Sequence, residues 1–243
     1  MRGNPEGMIY GEFQAQKEGV EYGLGLMKVV AALEGRILTK QDTMAAGAIG
    51  AGMKAFDAAY DKYDIRVAGT KADEIDNALT GGNNTGDVIV DKALIIAKEN
   101  LNETAQSALI DVANAQRLSI EQRQSEIDPE RLAFITKEKG GNSALLFALQ
   151  INPNLSDAKK QCYKELGFLM QLADDFVDET KDREDGISTL VTLSGITKPE
   201  VIKKIKDQGA KVNAAFEAEY EMYRTTELKS FVSKTLASAG ILI

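Results

Sequence analysis

The chain has 243 residues, with 29 Lys and Arg against 37 Asp and Glu, a formal charge of −8, one Cys, no Trp and no His. The missing histidine removes every site that needs imidazole, from catalytic triads to histidine-ligated zinc and Glu-x-x-His di-iron centres, and the lone Cys162 excludes an internal disulfide, a CxxC pair and a zinc ribbon. The acidic balance argues against nucleic acid, no apolar run approaches the ~18 residues of a membrane span, and the N-terminus lacks the apolar segment of an export signal and reads as cytoplasmic.

Helix formers dominate, only four prolines occur, and 44% of the residues are apolar. The pattern predicts helices over 8–34, 40–63, 87–124 (bent around 100–102), 129–150 with a break at Gly140-Gly141, 156–182, 198–223 and 226–238. Local punctuation supports several of these starts. Asp128-Pro129-Glu130 is an N-cap followed by proline at the first helical position. Ser156 is a second cap, and Thr197-x-x-Glu200 has capping-box spacing. Thr80–Gly86 is the clearest loop. With no linker or composition shift, residues 1–243 read as a single all-α domain.

The glycines of Gly23-Leu24-Gly25 and Gly47–Gly52 complete neither a dinucleotide fingerprint nor a P-loop. Within Ala-rich helices they suit close helix approach, or room for a bulky ligand.

Two acidic constellations carry the chemistry. In Phe56-Asp57-Ala58-Ala59-Tyr60-Asp61-Lys62-Tyr63-Asp64, the spacing i, i+4, i+7 places Asp57, Asp61 and Asp64 on one helical face beside Met53, Phe56 and Tyr60. In Asp174-Asp175-Phe176-Val177-Asp178-Glu179-Thr180-Lys181-Asp182, the spacing i, i+4, i+8 aligns Asp174, Asp178 and Asp182, with Asp175 and Gln171 flanking. Neither stripe has a base spaced to offset it, so like charges repel unless solvent or a cation intervenes. One outcome is two solvated amphipathic faces. The other is Mg²⁺, which takes one or two carboxylates and completes its octahedron with water and phosphate oxygens; stripes facing one another would clamp a diphosphate. The EF-hand pattern is absent.

Gly167–Asp178, an apolar helix with Gln171 just ahead of the DDxxD at Asp174–Asp178, resembles the second aspartate-rich motif of trans-prenyltransferases. Its spacing is also similar to the (N/D)Dxx(S/T)xxxE triad of terpene cyclases, with Asp178 and Asp182 in the last two places. Lys181–Gly186 resembles the ending of that motif in squalene/phytoene synthases and bacterial large-terpene synthases. Lys137–Leu149 looks like the broken helix before it, and Asp57-x-x-x-Asp61 resembles a DxxxD first motif. The chain therefore resembles the class I isoprenoid synthase superfamily over about residues 50–190.

That resemblance implies a single-domain helical bundle around a central cavity, with the two Asp stripes at its mouth. It implies an Mg²⁺-dependent enzyme, transferase or lyase, that ionises an allylic prenyl diphosphate for coupling or cyclisation. Asp57, Asp61, Asp174 and Asp178 would be catalytic. The metal set would be Asp57, Asp61, Asp64, Asp174, Asp175, Asp178 and Asp182. Lys137, Lys139, Arg131, Asn142 and Arg183 would bind the diphosphate, and Phe56, Tyr60, Phe147 and Phe168, with the small Gly47 and Gly50 surface, would line the pocket. The partner is the prenyl diphosphate, the apolar product can pass to a membrane, and a homodimer is in keeping with the family. A chain-elongating polyprenyl diphosphate synthase is the nearest alternative, favoured by DDxxD and disfavoured by the single Arg66. A non-catalytic acidic interaction protein, its stripes facing water, is the alternative of another class.

Overall fold

The computed structural model describes residues 4–62, 65–82, 84–124, 126–193, 195–221 and 224–241, with backbone alone for 56–62, 65–68, 71 and 238. Among them every regular element is helical: α1 (Pro5–Glu12), α2 (Lys17–Leu33), α3 (Lys40–Lys62), α4 (Ile65–Leu79), α5 (Val88–Asn100), α6 (Glu103–Leu118), α7 (Pro129–Ile151), α8 (Asp157–Val177), α9 (Glu179–Asp185), α10 (Lys198–Glu219) and α11 (Thr225–Ser238). No helix among the described residues is long and apolar enough to cross a membrane.

The helices gather into two compact units. The first holds Met1–Arg117 with Leu146–Pro153, and the second holds Leu118–Leu145 with Asn154–Ile243. α7 gives its N-terminal part to the second unit and its last residues to the first.

In the first unit α2 lies against α3 through glycine. A Cβ built on Gly50 would stand 2.0 Å from the Gly19 carbonyl oxygen, and one on Gly23 would stand 2.1 Å from that of Ala46. Only hydrogen allows the two backbones so close. Gly47 meets the Ile9 side chain in the same way, so Gly47 and Gly50 serve helix approach and do not form a pocket surface. Asn102 ends the α5 run, accepting from Ala105 N at 2.9 Å to cap α6, so the expected bend is a break between two helices. A buried polar chain ties this unit together. Asp42 accepts from the Thr39 N–H at 2.9 Å and from Gln150 at 2.9 Å, and Gln150 accepts from Asn102 N at 2.9 Å. The segment left unassigned by the sequence, 65–79, is α4; it buries Ala72 and Ile75, and its Asp76 accepts from Arg117 at 2.7 Å.

In the second unit the predicted caps hold. Asp128 accepts from Glu130 N at 3.2 Å, Ser156 from Lys159 N at 3.2 Å, and Glu200 from Thr197 N at 2.8 Å. α7 runs unbroken through Gly140-Gly141, contrary to the expected break. Those glycines permit a crossing instead: a Cβ on Gly140 would fall 2.1 Å from the Gly167 carbonyl oxygen, and one on Gly167 would fall 2.0 Å from that of Gly140. α8 packs on α10 through Tyr163 and Phe216, whose rings meet edge to face at 5.2 Å.

Candidate active site

The second acidic constellation does not lie on one continuous helix. α8 ends at Val177, Asp178 is its C-cap with φ −88° and ψ 5°, and α9 begins at Glu179. Acidic residues crowd the last turn of α8, where the carbonyl end of the helix disfavours negative charge, and aspartate competes with helical backbone bonding. The expected helix over 156–182 therefore stops five residues early. The Asp174–Asp178 turn survives, since Asp178 N donates to Asp174 O at 2.9 Å. The next turn survives as well: Asp182 N donates to Asp178 O at 2.8 Å across the junction with α9.

The four carboxylates differ in environment. Asp174 is exposed and Asp178 half-buried, whereas Asp175 and Asp182 are buried. Asp175 lies on the Gly167–Gln171–Asp175 row, and the first two of these residues meet Gly140 of α7. Its Oδ1 accepts from Gln171 Nε2 at 2.9 Å, while its Oδ2 is buried with no hydrogen-bond partner. Burial pushes its pKa up to about 7; the Gln171 bond and the charge of Lys139 oppose the rise, and the nearby charges of Asp174 and Asp182 add to it. Asp174, Asp175, Asp182, Gln171 and Lys139 thus form one neighbourhood contributed by α7, α8 and α9.

The other basic candidates are engaged elsewhere. Lys137 donates to Glu165 at 3.2 Å. Arg131 makes two bonds to Glu121, at 2.8 and 2.6 Å, which raise the arginine pKa and lower that of the acid. Arg183 donates to Glu179 at 3.2 Å and to the Thr192 carbonyl at 3.0 Å. Asn142 donates to Glu138 at 3.1 Å. Sequence reasoning missed the hub that holds Lys137. Glu165, 4% exposed, also accepts from Gln161 at 2.7 Å, Gln208 at 2.8 Å and Lys211 at 2.9 Å. Gln161 stands one turn before Glu165 on α8, whereas Lys137 lies 28 positions away on α7 and carries no local signal of the pairing.

On the first constellation, Asp57 and Asp61 belong to α3, as do Phe56 and Tyr60. Their side chains, and Asp64 altogether, lie outside the described residues. One and two turns before Asp57, Met53 and Ile49 line an apolar cavity of about 30 Å³ in the first unit, with Leu94 and Ala97 of α5 and Val112 of α6 among the other walls. At ~10–15 Å³ for each water centre, it is the size of about two water molecules. Phe147 is fully buried, in edge-to-face contact with Tyr22 at 6.5 Å.

The donor set of the second motif suits a hard cation. Asp174 and Asp178 stand one turn apart and reach solvent, and Mg²⁺ needs only one or two carboxylates, keeping water or ligand oxygens in its other positions. Among the described residues no three acidic or sulfur side chains close a cage around an ion, so the remaining oxygens would come from outside this group.

No family model matches the sequence, and no curated protein matches it. Among solved structures the chain is similar to the linalool/nerolidol synthase of Streptomyces clavuligerus, crystallised with 2-fluorogeranyl diphosphate. The TM-score is 0.56 at 14% identity, over 98% of this chain and 85% of that one. The chain shares the all-helical fold of that synthase. The likeness extends well beyond the 50–190 stretch on which the motifs lie, and the terpene-synthase-like fold includes the outer helices that no motif marks.

Proposed function

We propose that this chain is a Mg²⁺-dependent class I isoprenoid synthase, a single catalytic domain that ionises an allylic prenyl diphosphate and leads the cation to coupling or cyclisation. One observation carries the reading. A helical fold shared with a terpene synthase over 98% of the chain carries a DDxxD-type motif whose Asp174 and Asp178 reach solvent at the end of α8.

Asp174, Asp178 and Asp182 would supply the carboxylates of the second motif, and Asp57, Asp61 and Asp64 those of the first. Bound Mg²⁺ would act as a Lewis acid, neutralising the leaving group as the allylic C–O bond breaks and its electron pair departs with diphosphate. Lys139, beside the second motif, offers a charge-assisted hydrogen bond to the diphosphate oxygens. Lys137, Arg131, Asn142 and Arg183 would exchange the partners they have in this structure for the ligand. The faces of Phe56 and Tyr60 can stabilise the cation. A prenyl chain occupying the cavity below Asp57 has to enlarge it, since about 30 Å³ does not admit one.

Incubating the protein with geranyl, farnesyl and geranylgeranyl diphosphate, with and without Mg²⁺, tests the reading through diphosphate release and product extraction. Release that requires Mg²⁺ is expected, and a longer diphosphate formed on adding isopentenyl diphosphate would reassign the enzyme to chain elongation. Neither release nor binding of any of the three leaves an acidic helical protein without this activity.

A further inference from the structure

We infer that the outer face of α5 is a self-complementary surface on which a second copy of this chain docks, the two α5 helices lying antiparallel with Val88 of one copy on Ile95 of the other. The inference stands apart from the diphosphate chemistry and concerns residues of the first unit alone.

The solvent face of a helix is ordinarily polar. On α5 the row Val88, Lys92, Ile95 and Glu99, at helical spacing, sets two large aliphatic side chains in water instead. Val88 is 80% exposed and Ile95 55% exposed. With Met44 of α3, Ile96 and Glu12 at the end of α1 they border an open groove of about 530 Å³, so the apolar surface extends beyond one helix. Aliphatic groups gathered in this way, with charge at the rim, mark a surface that a partner covers.

The charges decide which partner. A two-fold axis between residues 91 and 92 of paired antiparallel helices carries Val88 onto Ile95 and Asp91 onto Lys92, each contact occurring twice. Asp91 accepts from the Thr85 N–H at 2.7 Å and hydroxyl at 2.8 Å, both on Oδ1, which leaves Oδ2 unbonded among the described residues. Lys92 donates to the Glu12 carbonyl at 3.2 Å and pairs with the Glu12 carboxylate, so its ammonium is kept at the groove. The same axis sets Glu99 against Asn84, and no two acids of the row meet across it, which matters between chains of net charge −8. A partner of one charge sign would leave either Asp91 or Lys92 unmatched; a second copy matches both. A contact confined to α5 and its flanks is small among protein interfaces, so the pair forms at micromolar concentration and is not obligate.

Sedimentation velocity of the full chain from about 1 to about 300 µM tests for the pair, and the mass should climb from one chain toward two across that range. Val88→Glu should raise the dissociation constant about tenfold or more, because each copy then presses a carboxylate onto Ile95 of the other. Ile95→Lys should do the same. Both positions are exposed, so circular dichroism should show the helices of either variant unchanged. An equimolar mixture of Val88→Glu and Ile95→Lys should pair again, since the mixed dimer sets the two introduced charges against each other and keeps one Val88–Ile95 contact. A parent that remains a single chain at the highest concentration overturns the inference. A dimer that both substitutions leave intact lies on another face and overturns it too. A mixture that stays dissociated after each variant alone has lost the dimer overturns the antiparallel register, and with it the docking surface as stated.

Discussion

Glu165 shows how one buried charge organises the helices around it. Burial alone would raise its pKa, but the bonds from Gln208, Lys211, Lys137 and Gln161 outweigh that cost and hold it down at about 2. Removing the charge leaves two lysine ammonium groups facing an amide, so Glu165→Gln should destabilise the protein by about 3 kcal/mol, seen as a lower urea midpoint. The pH dependence has a definite sign. The folded pKa lies below the ordinary carboxylate value of 4.5, so the contribution is complete above that value and is lost as pH falls through it toward about 2. The parent should therefore lose stability more steeply than Glu165→Gln between pH 4.5 and 2. Equal acid slopes for the two proteins would show that Glu165 carries no net electrostatic stabilisation. The hub also bears on Lys137 as a candidate for the diphosphate: taking it away from Glu165 incurs part of the same cost.

At the scale of the element, glycine has two opposite roles, and substitution separates them. At the α7–α8 crossing a methyl on Gly167 would sit 2.0 Å from the Gly140 carbonyl oxygen, so Gly167→Ala has to push the helices apart, at a cost of about 1–3 kcal/mol or more. It should also loosen the Gln171–Asp175 row and weaken diphosphate binding. Gly69, inside α4, has nothing within 4 Å of a built Cβ, and Gly69→Ala should stabilise the protein by about 0.5–1 kcal/mol through helix propensity alone. Thermal denaturation of both variants checks the contrast, and a stabilised Gly167→Ala would contradict the close crossing.

The same glycines mark where the sequence is legible. Helix starts at Pro129, Asp157 and Lys198 are readable because their caps are local, within three residues of the bond they make. The all-α class and the acidic run at Asp174–Asp182 are readable for the same reason. Gly140-Gly141 reads as a break, yet it is an uninterrupted helix, because the partner that makes glycine necessary is Gly167, 27 positions away. The separate fates of Asp174 and Asp175, one exposed and one buried, depend on which face of α8 meets α7. The pairing of Gln150 with Asp42 spans 108 positions. Nothing in the local pattern of either residue announces these contacts. Helix α4 carries apolar residues at helical spacing, Ile65, Ala68, Ala72, Ile75 and Leu79, and the sequence reading leaves it unassigned despite that signal.

For the whole molecule, the decisive quantity is how an excess of negative charge responds to ligand. A net charge of −8 repels diphosphate unless a cation comes with it, and Asp174 and Asp178, like charges one turn apart, repel each other less when a cation is bound. Mg²⁺ and diphosphate should therefore bind as a pair. A ligand at about a hundred times its dissociation constant stabilises the folded chain by about 2.7 kcal/mol. For a protein of this size that corresponds to a rise of roughly 5–10 °C in melting temperature. Mg²⁺ with inorganic diphosphate should produce that rise, diphosphate alone should produce almost none, and EDTA should reverse it. Added sodium chloride at matched ionic strength separates specific binding from screening, since screening raises stability without regard to diphosphate. A shift of equal size with diphosphate alone would mean that lysine and arginine side chains hold the anion by themselves. In that event Asp174→Asn would leave the shift intact, whereas binding through the ion requires the substitution to abolish it.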